Sequence, residues 1–266
     1  MTGSEESQAR YGEAVIESVQ LVYGRGFLSG GGAAEVAEIV SGLAVEGAQA
    51  MELGCGLGGC SVALAGGIGA DTVTAVDVEP VMIARTGEAA AVAGLSGRIV
   101  PRLVEPGPLP FADASFDLVF SKDVIAHIPD KEALYADLHR ILRPGGALAL
   151  SDWHMAREDT RSEAFEAWAG QLRASGLWFE FAPTGRHERA MTAAGFEAVE
   201  VRDRSAWAER LAHDCIARIL GPAERDLRRA LGDAGYDGLL MRTRARAEAL
   251  AAGDLLHCHL RARKPG

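Results

Sequence analysis

Along the middle of the chain, short apolar runs alternate with longer stretches in which apolar positions recur every three to four residues. The first pattern belongs to strands buried on both faces, the second to helices that turn one side to a core. Strands are thus predicted over 48–53, 72–77, 98–103, 116–121 and 147–152, then over 196–202 and 254–263. Helices are predicted over 80–93, with Pro80 in the first turn and Gly94 as the stop, over 131–142, with Asp130 as cap and Pro144-Gly145-Gly146 beyond the end, and over 186–194. Such alternation predicts an α/β fold around a mostly parallel sheet, with the last strand joining as an antiparallel edge partner.

Three segments stand outside that rhythm. Residues 1–45 read as helical around a glycine-rich turn from Gly24 to Gly32, while 153–185 and 205–250 read as helical and carry aromatic residues. With no internal repeat, low-complexity tract or linker, the expectation is a single domain over 1–266. Its parts are a helical lid (1–45), a binding core (46–152), a cap (153–185 and 205–250) and closing strands and helix (186–204 and 251–266).

Met51-Glu52-Leu53-Gly54-Cys55-Gly56-Leu57-Gly58-Gly59 is a buried strand running into a glycine turn and a helix. Turns of this kind lie at the carboxyl edge of a parallel sheet, where nucleotides bind. Gly54-x-Gly56-x-x-Gly59, with Asp77 farther on, fits the dinucleotide fingerprint. Glu52 argues otherwise, since an acid there repels a pyrophosphate at the helix amino end and suits a cationic ligand. Glu52-x-Gly54-x-Gly56-x-Gly58 resembles the first motif of class I methyltransferases. That resemblance implies a Rossmann-like sheet with an antiparallel last strand and S-adenosylmethionine as methyl donor, leaving S-adenosylhomocysteine. It places Glu52, Gly54, Gly56, Gly58, Asp77, Val78, Glu105 and Ser121 at the donor. Asp77, ending a strand, can accept both ribose hydroxyls. Glu105 stands where the family usually has an aspartate that bonds the adenine amino group, and Pro106 after it has no N–H to give.

Ser121-Lys122-Asp123-Val124-Ile125-Ala126-His127-Ile128 follows strand four, where methyl group and acceptor meet. His127 is a natural general base, Asp123 can hold an acceptor ammonium, and Lys122 is expected in solvent. This stretch from Phe120 onward, with Tyr11, with 23–32, with Ser151-Asp152-Trp153 and with the ending 260–264, resembles phosphoethanolamine N-methyltransferases. The resemblance implies a catalytic dyad of Tyr11 and His127, with Asp123 beside them, Tyr23 among the substrate-binding residues and Ser29 near the acceptor's phosphate. Trp153 and Trp168 take positions of phosphate-contacting tyrosines, Leu172 that of the family's phosphate-binding arginine, with Arg173 adjacent. A phosphate would therefore need Arg173, Arg186 or one of Arg242–Arg246 to enter the pocket from the cap. The run Arg242-x-Arg244-x-Arg246 itself reads as a solvated helix face.

A net charge of -10 over 266 residues disfavours nucleic acid and anionic membrane as partners. The acidic, polar start has no signal-peptide pattern, and no apolar run spans a bilayer. Cys55, Cys60, Cys215 and Cys258 form no disulfide framework, so a cytoplasmic setting is expected. His257-Cys258-His259 puts two histidines on one strand face without further ligands nearby, and no metal is expected. The resulting expectation is methyl transfer to the amine nitrogen of a phosphoethanolamine-like small molecule. The alternatives are a non-phosphorylated amine or an O-acceptor of specialised metabolism, a NAD-dependent oxidoreductase, and an idle S-adenosylmethionine-binding protein. Oligomeric state is not legible.

Overall fold

The computed structural model describes residues 12–158, 162–174 and 178–266. Its strands are β1 (Gln49–Leu53), β2 (Thr72–Asp77), β3 (Ile99–Leu103), β4 (Phe116–Lys122), β5 (Leu142–Met155), β6 (Glu197–Asp203) and β7 (Leu255–Arg263). They form one sheet in the order β3-β2-β1-β4-β5-β7-β6. Pairs among β1 to β5 are parallel, and β7 runs antiparallel to both β5 and β6. This is the Rossmann-like sheet of class I methyltransferases, as the α/β pattern predicts.

Helices α1 (Glu13–Tyr23) and α2 (Gly32–Ile39) precede the sheet. Then come α3 (Gly59–Val62), running on into a π-helical turn at Ala63–Ile68, α4 (Pro80–Val92), α5 (Lys131–Ile141), α6 (Glu163–Ala174), α7 (Thr184–Ala193), α8 (Ser205–Ile219) and α9 (Glu224–Ala251). Asp130 caps α5, accepting the Ala133 N–H at 2.8 Å. Gly232 interrupts α9 with φ 68° and ψ 174°.

The expected place of the last strand is overturned. β7 lies inside the sheet, and β6 is the edge. Burial explains this: β7 buries Leu255, Cys258, Leu260 and Ala262, whereas β6 is exposed along most of its length. A strand apolar on both faces needs neighbours and cover on both sides. β5 also starts earlier than predicted, because Pro144-Gly145-Gly146 is taken up as an irregularity opposite Phe116 and Leu118.

Met51, Leu53, Val119, Leu148 and Leu150 pack on one face of the sheet with α5 and α7, and Ala50, Ala75, Leu118 and Phe120 on the other with α2 and α4. Phe165, Trp168, Ala212 and Leu250 join α6, α8 and α9 in a core of their own above the sheet. Val22 ties α1 to Cys215, Ile219 and Tyr236 of α8 and α9. Among the described residues no helix is long and apolar enough to cross a membrane.

Candidate active site

Gly54, Gly56 and Gly58 have φ of 77°, 52° and 83°, a backbone region open to glycine without strain. A Cβ at Gly54 would lie 2.2 Å from the Val124 side chain. Gly59 opens α3, and its N–H donates to the Gly26 carbonyl at 2.9 Å. Leu28 of the same turn reaches over Gly56. A protein carbonyl thus takes an amide that a dinucleotide site offers to pyrophosphate, which weighs against the dinucleotide reading.

The acids sit around this turn. Asp77 accepts the Gly56 N–H on Oδ2 and the Glu79 N–H on Oδ1, each at 3.0 Å. The Val78 N–H also bonds this carboxylate, and its two oxygens together retain room for a further donor. Burial raises the Asp77 pKa even so. Val78 beside it is 49% exposed and apolar, and Glu105 is exposed on the loop after β3. Glu52 is buried and bonded by the Ser61 hydroxyl. Burial and the charge of Asp77 push its carboxyl up to about 8. Ser121 is buried, and its hydroxyl donates to the Leu53 carbonyl at 2.8 Å, fastening β4 to β1. A buried carboxyl with no cation paired to it among the described residues, a glycine cradle, an acid at the strand end and an exposed apolar residue fit the ammonium, ribose and adenine of S-adenosylmethionine.

Beyond β4 the chain turns at Asp123, whose φ is 58°. A non-glycine residue held there marks a conformation that surrounding structure imposes. Its N–H donates to the Ser151 carbonyl at 2.8 Å. Lys122 Nζ donates to Asp123 Oδ2 and to Ser29 Oγ, both at 2.6 Å, and His257 Nε2 lies 3.2 Å from Asp123 Oδ1. Burial alone would raise the Asp123 carboxyl, but Lys122 and His257 outweigh it and hold it well below the usual carboxylate range. Lys122 is buried, contrary to its expected place in solvent. β4 runs one residue farther than predicted, so its side chain points beneath the 24–31 turn, where Asp123 neutralises it.

His257 is the residue that sequence reasoning missed here. Its ring centroid lies 4.5 Å from that of Trp153 and 5.5 Å from that of Trp207. The neighbouring His259 turns to a different carboxylate, with Nε2 2.6 Å from Glu35 Oε1. Glu35 also receives Arg204 at 3.0 Å. The two histidines of the 257–259 triplet therefore serve two separate acids.

Arg246 reaches the same place from α9. Its Nη1 donates to Tyr23 Oη at 3.1 Å, and its guanidinium lies 5.7 Å from the Trp153 ring centroid. Nε and Nη2 are inaccessible to solvent and have no oxygen or nitrogen partner among the described residues, while the Cys215 thiol of α8 lies close enough to interact with the guanidinium. Asp123 is near enough to act on the Arg246 charge. Arg242, one turn earlier, is close enough to Arg246 for the two cations to repel, while Arg244 faces solvent. The expected solvated face thus holds for Arg244 and fails for Arg246, because i and i+4 share one side of a helix. Asp123, His257, Trp153, Arg246 and Tyr23 form a continuous chain of contacts, with Lys122 and Ser29 at its far end.

His127 ends a one-turn 3₁₀ helix, Ile125–His127, and its side chain is exposed. Its Nδ1 lies 2.6 Å from the Trp178 carbonyl oxygen. A carbonyl only accepts, so Nδ1 carries a proton, and in the neutral ring Nε2 then holds the lone pair. The turn is held from below: Lys131 Nζ donates to the Ile125 carbonyl at 2.7 Å, and Asp152 Oδ2 accepts the Ala126 N–H at 3.1 Å. Burial lowers Lys131 to about 8 and raises Asp152 to about 7.

Other expected residues fall elsewhere. Tyr11 lies outside the described residues. Trp168 is 4% exposed within an aromatic cluster of Phe165, Phe179 and Phe181, so it builds the cap's core. Arg173 is half exposed and 3.7 Å from Glu166, and Arg186 pairs with Glu132 at 2.8 Å. Neither arginine joins the Asp123 contacts.

Residues 51–150 match the family model described as a methyltransferase domain. Phosphoethanolamine N-methyltransferase 1 of Triticum aestivum is 27% identical over 249 residues, 92% of this chain and 47% of that protein. The chain thus spans about half the length of that relative. 27-O-demethylrifamycin SV methyltransferase of Amycolatopsis mediterranei is 28% identical over 82% of this chain and 78% of its own. Among solved structures, phosphoethanolamine N-methyltransferase 2 of Haemonchus contortus, in complex with phosphomonomethylethanolamine and S-adenosylhomocysteine, superposes with a TM-score of 0.88 at 23% identity. It covers 100% of this chain and 61% of that one.

Proposed function

Given a chain that carries a methyltransferase domain in the class I, S-adenosylmethionine-dependent fold, we propose that it methylates the amine nitrogen of a small molecule that also bears an anionic, phosphate-like group. The observation that carries this reading is Arg246. Two buried guanidinium nitrogens have no oxygen or nitrogen partner among the described residues and only the Cys215 thiol beside the group, so a bound anion would complete their hydrogen bonding. Arg246 reaches Tyr23 and Trp153 from the cap helix α9, which supports it as the cap arginine that a phosphate needs. The wheat relative's name and the acceptor bound to the Haemonchus enzyme support the same class.

In this reading Glu52 takes the donor's ammonium, Asp77 its ribose hydroxyls, and Val78 and Glu105 flank its adenine. S-adenosylmethionine supplies an electrophilic sulfonium methyl. Alignment and exclusion of water by the chain then carry much of the catalysis, on the order of 7–11 kcal/mol. Asp123 attracts the acceptor's ammonium. His127 Nε2 takes the proton that the ammonium sheds before its lone pair can attack, with Tyr11 as its expected partner. Arg246, with Tyr23 beside it, holds the anionic end. Trp153 presents a ring to Arg246, so that face serves the chain's own cation.

The test is an acceptor screen that reads S-adenosylhomocysteine release together with the mass of the product. Phosphoethanolamine and its monomethyl form are expected to be methylated, ethanolamine far less, and Arg246→Ala to raise KM for the phosphorylated acceptors. Equal use of ethanolamine, unaffected by Arg246→Ala, would overturn the reading. A hydroxyl acceptor is the second reading, since the Amycolatopsis O-methyltransferase matches over most of its own length. Hydroxylated acceptors in the same screen separate the two.

A further inference from the structure

His257 touches Asp123 across 134 residues of sequence, and no motif points to it. Resting on the amine-acceptor reading above, we infer that His257 is a positioning residue for the acceptor. Its Nε2–H pins Oδ1 of Asp123, so that the carboxylate keeps a fixed edge toward the incoming ammonium.

Asp123 is ionised beside Lys122 and can only accept, so the nitrogen facing it, Nε2, carries the proton. Nδ1 is buried and without a partner among the described residues. Lys122 grips Oδ2 at 2.6 Å, and His257 faces Oδ1 at 3.2 Å. Two donors on two different oxygens set the plane of the carboxylate, whereas one alone leaves it free to swing about that bond. Each oxygen retains a lone pair for the substrate.

The ring is itself immobilised. It is 1% exposed and stands between Trp153 and Trp207. Its backbone N–H donates to Ser205 Oγ at 3.1 Å, and its carbonyl accepts the Arg204 N–H at 2.7 Å. Ser151 Oγ, 3.2 Å from Nε2, completes the surroundings of that nitrogen. An aspartate whose backbone is already forced to positive φ is thus also held at both carboxylate oxygens. Mere packing would not call for a donor at this height on the ring.

Three substitutions separate positioning from packing. The amide of His257→Gln reaches the Nε2 position, that of His257→Asn only the Nδ1 position, and His257→Phe keeps a ring without a donor. Donor Kd is measured by calorimetry, and kcat and KM with the acceptor that the wild type methylates. His257→Asn and His257→Phe are expected to raise acceptor KM about tenfold or more, the scale of one hydrogen bond to a charged group, with donor Kd near that of the wild type. His257→Gln is expected to recover most of that loss. On an Asp123→Asn background the three variants should converge, because the effect runs through Asp123. Equal behaviour of Gln and Phe in the otherwise native enzyme would overturn the inference, as would a donor Kd that shifts as much as KM. Should His257→Phe fail to fold, the contrast between Gln and Asn decides. A wild type that methylates no amine sinks the functional reading, whereas an active wild type with indifferent variants sinks only the role of His257.

Discussion

The amide of Gly59 donates to the carbonyl of Gly26 across 2.9 Å, and a Cβ at position 59 would lie 2.3 Å from that oxygen. The turn before α2 is therefore seated on the first residue of α3, with Leu28 and Ser29 following on the same turn. Gly59→Ala is expected to lift that turn, costing about 1–3 kcal/mol as overpacking does. Donor affinity should fall together with the melting temperature. Calorimetry and thermal melting check this, and no change in either would mean that the turn is not held there.

Glu52 gives a pH signature. Its carboxyl is raised from 4.5 to about 8 in the fold. A group raised on folding contributes stability that is fully present below its unfolded pKa and is lost as pH rises through the folded one. Without donor, the wild type should lose more stability between about pH 5 and 8 than Glu52→Gln does. Asp152, raised to about 7, titrates in the same direction, and the comparison with Glu52→Gln removes its share. Donor affinity should run the other way in the wild type, rising with pH as the ionised carboxylate meets the ammonium, and should be nearly flat in Glu52→Gln. Melting curves and calorimetry across that range test both halves.

Asp77→Ala should weaken donor binding by about 1.5–3 kcal/mol, the range for hydrogen bonds to a charged group. Part of that loss comes from the Gly56 amide, which the carboxylate now accepts. An unchanged donor Kd in a folded variant would remove Asp77 from the site.

His127→Ala should lower kcat by about 10²–10⁴-fold and leave donor affinity nearly intact, since the sulfonium needs no acid. Single-turnover rates with the acceptor found in the screen provide the measurement. A rate within a few-fold of wild type would assign the proton to another group.

The proposed donor side is legible in the sequence because its parts are contiguous. Glu52, the glycines and Asp77 sit at the ends of strands that announce themselves by their apolar runs. The proposed acceptor side is assembled across large separations: 134 residues for Asp123 and His257, 223 for Tyr23 and Arg246. Periodicity reports which face of an element is buried, not which partner covers it. Arg246 and Arg244 look alike in the sequence, and only the packing of α9 turns one inward. Lys122 was misread for a smaller reason, one residue of strand length. The last strand reads as an antiparallel edge partner, yet it lies between β5 and β6. Its burial on both faces, visible in 255–262, argued for the interior.

The interior position of β7 has a consequence for the order of assembly during synthesis. β1 to β5 emerge in sequence and can pair as they appear, so the glycine turn and its acids can take shape early. β5 must then wait with an open edge while 155–254 are made, and β6 can join the sheet only through β7. Residues 255–263 close that edge and deliver His257 to Asp123 in the same event. A nascent chain halted before that strand would present unpaired β5 to other molecules, an aggregation hazard. Ribosome-bound chains could thus hold a donor site well before the acceptor side exists.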